Sequence, residues 1–470
     1  MAVFRLDRRS KAVKIPLSWR QVALIALLGV LTPLFAACGG APASQGTTPP
    51  TAVINAPTTP PGAATVNPIP PSPTVTSDNP TPDPMPTPVA PSPTAAPVEL
   101  TFPLRLPQPE HGVVAHLYYT DRERVLTLTE IAGYTWVRQQ IQWKDIEGPE
   151  PGDYKWGELD NIVDDVAARN LNLLISIVKA PSFYNPTNGL PRDPVTMGNF
   201  VEAMVRRYGT KIKAIEIWNE QNLAVENGGR VTVEDAGHYV EILVECYKRI
   251  KAVEPRIFVL SGAPSSSGVD EPSLAVSDER YYRAMYEYKG GLIKDYFDAQ
   301  AVHPGGAANP PDTLWPEKPS YIQGCKPAPD RCWNDHPTHY FRHVENVRKF
   351  MVEEGVGDHQ IWITEFGWAT PNSTPGYEFG NYVSLEQQRD YIITAMKRID
   401  ELYRTPDGKP WVGVAFLWNM NFAVLWGAQG NPDHEQASFG ILNPDWSPRP
   451  SFLAIQGYLA ERKRRMESGR

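Results

Sequence analysis

Ala214-Ile215-Glu216-Ile217-Trp218-Asn219-Glu220 is a short apolar run that closes on an amide and a carboxylate. A second run, Ile361-Trp362-Ile363-Thr364-Glu365-Phe366-Gly367-Trp368, repeats the plan. Near-continuous apolar residues over so few positions read as a strand covered on both faces, which is the habit of parallel sheets. Working outward, similar segments place strands near Val113–Tyr119, Thr135–Gln142, Asn172–Val178, Lys213–Asn219, Arg256–Gly262, Asp298–His303, Gln360–Glu365 and Val412–Trp418. Between them lie helical periodicities. Leu159, Ile162, Val163, Val166 and Ala167 share one face, as do Ile392, Ala395, Met396 and Ile399, whose helix opens on the capping-box pair Ser384 and Gln387. Eight βα pairs predict an α/β fold, a (β/α)8 TIM barrel over residues 99–470 with enlarged loops. The competing architecture is an open doubly wound sheet. It lacks a phosphate loop, because Gly228-Gly229 and Gly305-Gly306 do not have the spacing of a nucleotide motif.

In such a barrel the chemistry gathers where strands end, at the C-terminal face. Burying a carboxylate there is costly, so Glu220 and Glu365 point to function, although each alone could serve as a salt-bridge partner. Strands four and seven stand on opposite sides of the mouth. Two glutamates so placed can flank one bond, the arrangement that glycoside hydrolysis requires.

Composition narrows the alternatives. A formal net charge of −8 supplies no basic surface for nucleic acid, and no Cys/His cluster has zinc spacing. Neither a metal nor a cofactor is called for. Thirteen Trp and twenty Tyr provide flat faces that suit sugar rings, as well as core.

Trp218-Asn219-Glu220 and Thr364-Glu365-Phe366-Gly367-Trp368 resemble clan A of the glycoside hydrolases. The resemblance runs from about Gly112 to Tyr458 and includes Trp143 to Trp156 and Phe439-Gly440-Ile441-Leu442. Trp218-Asn219-Glu220-Gln221-Asn222-Leu223 is similar to family 39 β-xylosidases and related endoglycosidases, which usually carry Pro where Gln221 stands. The resemblance implies a retaining hydrolase of β-linked oligo- or polysaccharides, with Glu220 as general acid/base, Glu365 as nucleophile, and the higher pKa on Glu220. It further implies that Asn219 binds the sugar 2-hydroxyl, that Arg138 keeps the nucleophile ionised, that His303 lines the cleft and that Trp418 lies under the sugar. His116 and Trp143 are further substrate-binding candidates. The aromatic residue usual two positions after the histidine is replaced by Gly305, leaving Tyr321 or Tyr340 as candidate substitutes. Two other readings are a catalytically inactive carbohydrate-binding barrel at the cell surface and a scaffold that only presents loops.

Ahead of the barrel, six basic residues from Arg5 to Arg20 precede the apolar run Val22 to Leu31. Leu34 to Gly39 resembles a bacterial lipobox, which implies lipidation at Cys38; an ordinary cleavable signal and a single membrane anchor are the alternatives. Residues 1–38 are thus read as a lipoprotein-type signal segment, with membrane attachment only through the lipid and an extracytoplasmic location in a bacterium. Residues 39–98 are a Pro/Thr-rich tract holding 18 of the 48 prolines, which predicts a disordered linker acting as a semi-rigid stalk. In an exported chain the close pair Cys325 and Cys332 predicts a disulfide, and Cys246, on the apolar side of its helix, a buried thiol.

Overall fold

The computed structural model describes residues 100–317, 333 and 336–469 of the 470-residue chain. Cys38, the Pro/Thr-rich tract, Tyr321, Cys325 and Cys332 lie outside the described residues, and so do the readings made on them.

Eight parallel strands close into a barrel in which each pairs with the next and the last returns to the first. They are β1 (Glu110–Val114), β2 (Trp136–Gln142), β3 (Asn172–Val178), β4 (Ile212–Ile217), β5 (Phe258–Ser261), β6 (Ala299–Val302), β7 (Gln360–Phe366) and β8 (Val412–Leu417). The helices between them are α1 (Arg122–Ala132), α2 (Gly157–Ala168), α3 (Pro194–Tyr208), α4 (Asp235–Val253), α5 (Asp278–Glu287), α6 (His343–Glu353) and α7 (Leu385–Glu401). Short α8 (Phe422–Ala428) and α9 (Glu435–Phe439) follow β8, and α10 (Pro450–Glu467) ends the described chain. The capping box at Ser384 and Gln387 forms at the start of α7. Cys246 is buried in α4, where desolvation pushes its thiol pKa up.

The period of two along each strand sorts side chains into two cores. Val137, Ile175, Ile215 and Ile363 face outward into the main cluster under the helices. Trp136, Leu174, Ala214, Trp362 and Phe416 fill the barrel interior, where the Trp136 and Trp362 rings meet edge-on at 5.1 Å. Going up the same inward rows, the side chains turn polar at Arg138, Ser176, Glu216 and Thr364, all at 0% exposure. The barrel is therefore apolar below and hydrogen-bonded above, and the polar layer carries the mouth.

β1 differs from its sequence expectation of Val113–Tyr119. It begins at Glu110, which pairs with Val414 of β8, and it ends at Val114. Beyond that point side chains replace strand partners, because Asn421 Oδ1 accepts from His116 N and Gln139 Oε1 accepts from Leu117 N. His116 consequently lies in the loop after the strand. The other strands match their expected positions to within two residues at each end.

Candidate active site

Two backbone irregularities aim the glutamates. At the end of β4, Trp218 and Glu220 both have positive φ, at 69° and 51°, a conformation that costs side-chain-bearing residues energy and that gathers at functional sites. It is held by Glu220 N donating to Ala263 O at 2.8 Å. The close approach requires Gly262, since a Cβ there would stand 2.5 Å from Ile217 O and 2.7 Å from Trp218 O. On β7, the pairing register with β8 shifts between Ile363 and Phe366. Strict alternation would send Thr364 and Glu365 to opposite faces; the shift lets both reach the interior partners described next.

Arg138 is the floor of the site. Its Nε donates to Glu216 at 2.8 Å, one terminal nitrogen donates to Glu365 Oε1 at 2.7 Å, and the other donates to Asn219 Oδ1 at 2.7 Å and Ser176 Oγ at 3.2 Å. Burial opposes its charge, yet Glu216 and Glu365 together hold the guanidinium above its ordinary pKa. One cation thus fixes the orientation of Glu365 and of the amide beside Glu220.

His303, just past β6, joins the two carboxylates. Nδ1 lies 3.2 Å from Glu220 Oε1, while Nε2 lies 3.0 Å from Thr364 Oγ1 and 3.9 Å from Glu365 Oε1. Burial works against the imidazolium, but the charges of Glu365 and Glu220 outweigh it and raise the His303 pKa. For Glu220, burial pushes upward and the hydrogen bond and charge of His303 win, leaving its carboxyl below the ordinary glutamate value. Burial raises Glu365, and repulsion by Glu220 and Glu216 adds to it against the attraction of His303 and Arg138. The sequence expectation placed the higher pKa on Glu220. The order is reversed here because the protonatable imidazole of His303, a residue the sequence singled out, sits directly against Glu220, a contact the sequence does not reveal.

These groups open into a cavity of about 670 Å³, within the usual range for small-molecule sites. Asn219, Glu220, His303, Glu365, Trp418 and His116 all line it. Burial pulls His116 down to about 4, so it faces the cavity as a neutral imidazole, and its Nδ1 has no hydrogen-bond partner among the described residues. Trp143 is placed elsewhere, as a correction to the expectation. It begins a one-turn helix after β2, is fully buried, stacks on Phe200 at 5.2 Å and donates Nε1 to Glu147. Tyr340 is also buried away from the site, its hydroxyl donating to Glu317 O at 2.9 Å.

The sequence reading missed several cavity residues. Tyr377 lines the wall on the loop after β7, where burial and the Glu435 carboxylate push its hydroxyl pKa up. Lys179, at a positive φ of 58° after β3, forms a 2.8 Å ion pair with Glu226, and both line the cavity. Glu435, at the start of α9, is buried and lines the cavity. A charged residue directly after an apolar strand was a usable signal for Lys179. Tyr377, Glu226 and Glu435 sit on loops or a five-residue helix, where no periodicity marks them.

No protein-family model matches the sequence, and no curated protein resembles it in sequence. Solved structures do share the fold. A family 39 glycoside hydrolase from Bacteroides cellulosilyticus WH2 is 20% identical with a TM-score of 0.51, over 75% of this chain and 63% of that one. A glucosidase from Croceicoccus marinus is 14% identical with a TM-score of 0.52, over 75% of this chain and 68% of that one. GH5_18 from Streptomyces cattleya, in complex with GlcNAc, is 14% identical with a TM-score of 0.50, over 75% of this chain and 80% of that one. This chain therefore spans less than two thirds of the Bacteroides protein. The likeness is one of barrel architecture.

Proposed function

We propose that the protein is a retaining glycoside hydrolase that cleaves β-linked glycosidic bonds in oligo- or polysaccharides by double displacement. The observation that carries this reading is the pair of glutamates from opposite strands, one bonded to a fully buried arginine and both within reach of one histidine, in a single cavity. Glu365, oriented by Arg138, attacks the anomeric carbon. Glu220 protonates the departing oxygen, then as a carboxylate takes a proton from the water that releases the glycosyl group from Glu365. Retention calls for carboxyls about 5–5.5 Å apart, close enough for direct attack without an intervening water. Asn219, held by Arg138, presents its amide nitrogen to the sugar 2-hydroxyl, and Trp418 offers an aromatic face under the ring. The family 39 and glucosidase likenesses agree with this reading as architecture.

Hydrolysis of a panel of aryl β-glycosides and β-linked polysaccharides, with products resolved by length, tests the activity. Binding without turnover across the panel would contradict it. The electrostatics also fix the shape of the pH–rate profile. Glu365 must be ionised to attack, and its raised pKa puts the acid limb above the ordinary glutamate value, with activity lost below it. One proton must remain on the Glu220–His303 pair, and the raised His303 pKa puts the basic limb above the ordinary imidazole value, with activity lost above it. Plotting kcat/KM against pH checks both; an acid limb below the ordinary glutamate value would count against the assignment.

The N-terminal residues add a location to the proposal. Basic residues, an apolar run and Cys38 support export and lipid anchoring, with the proline-rich tract as a stalk that lets a tethered enzyme reach a polymer. Cys38→Ala is expected to move the protein from the membrane to the soluble fraction of its bacterial host. Unchanged fractionation would refute lipidation.

A further inference from the structure

The direction of each hydrogen bond around His303 determines where its protons sit. Glu216 is fully buried and ion-paired with Arg138, so it is a carboxylate and only accepts. Thr364 Oγ1, 3.0 Å from Glu216 Oε1, therefore donates its one hydrogen there. Thr364 is left with lone pairs for His303 Nε2, also 3.0 Å away, so Nε2 carries a hydrogen. The opposite nitrogen, Nδ1, is then the position that gains or loses a proton, and it faces Glu220 Oε1 at 3.2 Å. A hydrogen bond across that gap holds one proton, on Nδ1 or on Glu220.

We propose that Thr364 is a positioning residue: it fixes the His303 tautomer and so makes His303 and Glu220 share a single proton. This rests on the reading of Glu220 as the acid/base. In the first step the proton passes from Glu220 to the glycosidic oxygen as that oxygen leaves and the bond to Glu365 forms. The neutral imidazole then turns a lone pair, rather than an N–H, toward the Glu220 carboxylate. That repulsion raises the proton affinity of Glu220 at the moment it must take a proton from water. As the water oxygen bonds to the anomeric carbon and the bond to Glu365 breaks, the water proton restores Glu220. The opposite tautomer would place a donor on Nδ1 and stabilise the carboxylate, so that Glu220 would lose its proton at lower pH and would be a weaker base toward the water of the second step. The other groups facing the imidazole are Glu365 from β7, Arg138 from β2, and Ser265 beyond β5, which bonds Glu220. None of them supplies Nε2 with an acceptor as near as Thr364.

Nitrogen-15 NMR of ring-labelled histidine in the whole protein without substrate tests the tautomer directly, the His303 signal being identified by its loss in His303→Gln. Above the basic limb the wild-type ring is expected as the Nε2–H tautomer. Thr364→Val keeps the branched shape and removes the hydroxyl, and is expected to convert the ring to Nδ1–H and to lower the basic limb of kcat/KM by about one pH unit. Thr364→Ser restores both. A wild-type Nδ1–H ring overturns the proposal without recourse to any variant, as does a Thr364→Val protein whose tautomer and pH profile are unchanged. Absence of turnover on every glycoside would instead refute the hydrolase reading, and the NMR result would still decide the tautomer.

Discussion

Glu365→Gln is expected to lower kcat on aryl β-glycosides by on the order of 10⁴-fold or more while leaving the fold intact, and Glu220→Gln to fail in a different way. An amide at 365 keeps an oxygen for Arg138 but cannot form a glycosyl ester, so no covalent intermediate accumulates with any leaving group. With an amide at 220 the first step still proceeds on a substrate whose leaving group needs little protonation. The second step then lacks its base. A burst of phenolate followed by slow turnover is expected, together with a flattened basic limb, because the carboxyl that delivers the proton shared with His303 is gone and the titration of that pair no longer controls the rate. Rapid-quench kinetics with mass spectrometry of the intact protein separates the two variants. Normal turnover of unactivated glycans by Glu220→Gln would remove it from the mechanism.

Arg138→Met is expected to produce the second-largest effect, on stability and activity together. The substitution leaves the buried Glu216 and the partly exposed Glu365 without their cation and Asn219 and Ser176 without a donor. Breaking a buried pair by removing one partner costs roughly 3–5 kcal/mol, which urea denaturation reads as a lower midpoint. Loss of the cation favours the protonated form of Glu365, so the nucleophile ionises only at higher pH and the acid limb moves upward. Arg138→Lys keeps the charge but not the fork that reaches three strands at once, and is expected to recover part of the stability and little of the rate. An unchanged denaturation midpoint in Arg138→Met would show that this network does not hold the barrel mouth.

The parts of this site that were legible in the sequence either follow the strand period or close an apolar run. Arg138 on β2 and Glu216 on β4 lie on the same inward rows as Trp136 and Ala214, so the interior polar layer could be read from alternation alone. Asn219, Glu220 and Glu365 close apolar runs and announced themselves by their cost of burial. How they are aimed was hidden, because it depends on the φ of Trp218 and Glu220 and on a register shift in β7. β1 was extended too far because Ala115 to Tyr119 looks like strand, and only the fold brings Gln139 and Asn421 round to take its backbone donors. Trp143 was misplaced for a similar reason, since the single helical turn after β2 buries its ring against Phe200 instead of pointing it into the cavity. Tyr377 arrives on a loop and Glu435 on a five-residue helix, and neither is marked by a local sequence periodicity.

The anomeric configuration of the first product, followed by proton NMR during hydrolysis of an aryl β-glycoside, bears most directly on the paired-glutamate mechanism. A β-configured sugar released first, which then equilibrates to the α form, is the predicted result, since two displacements at one carbon restore its configuration. An α-configured first product would mean that water attacks directly, and Glu365 would then be a base rather than a nucleophile.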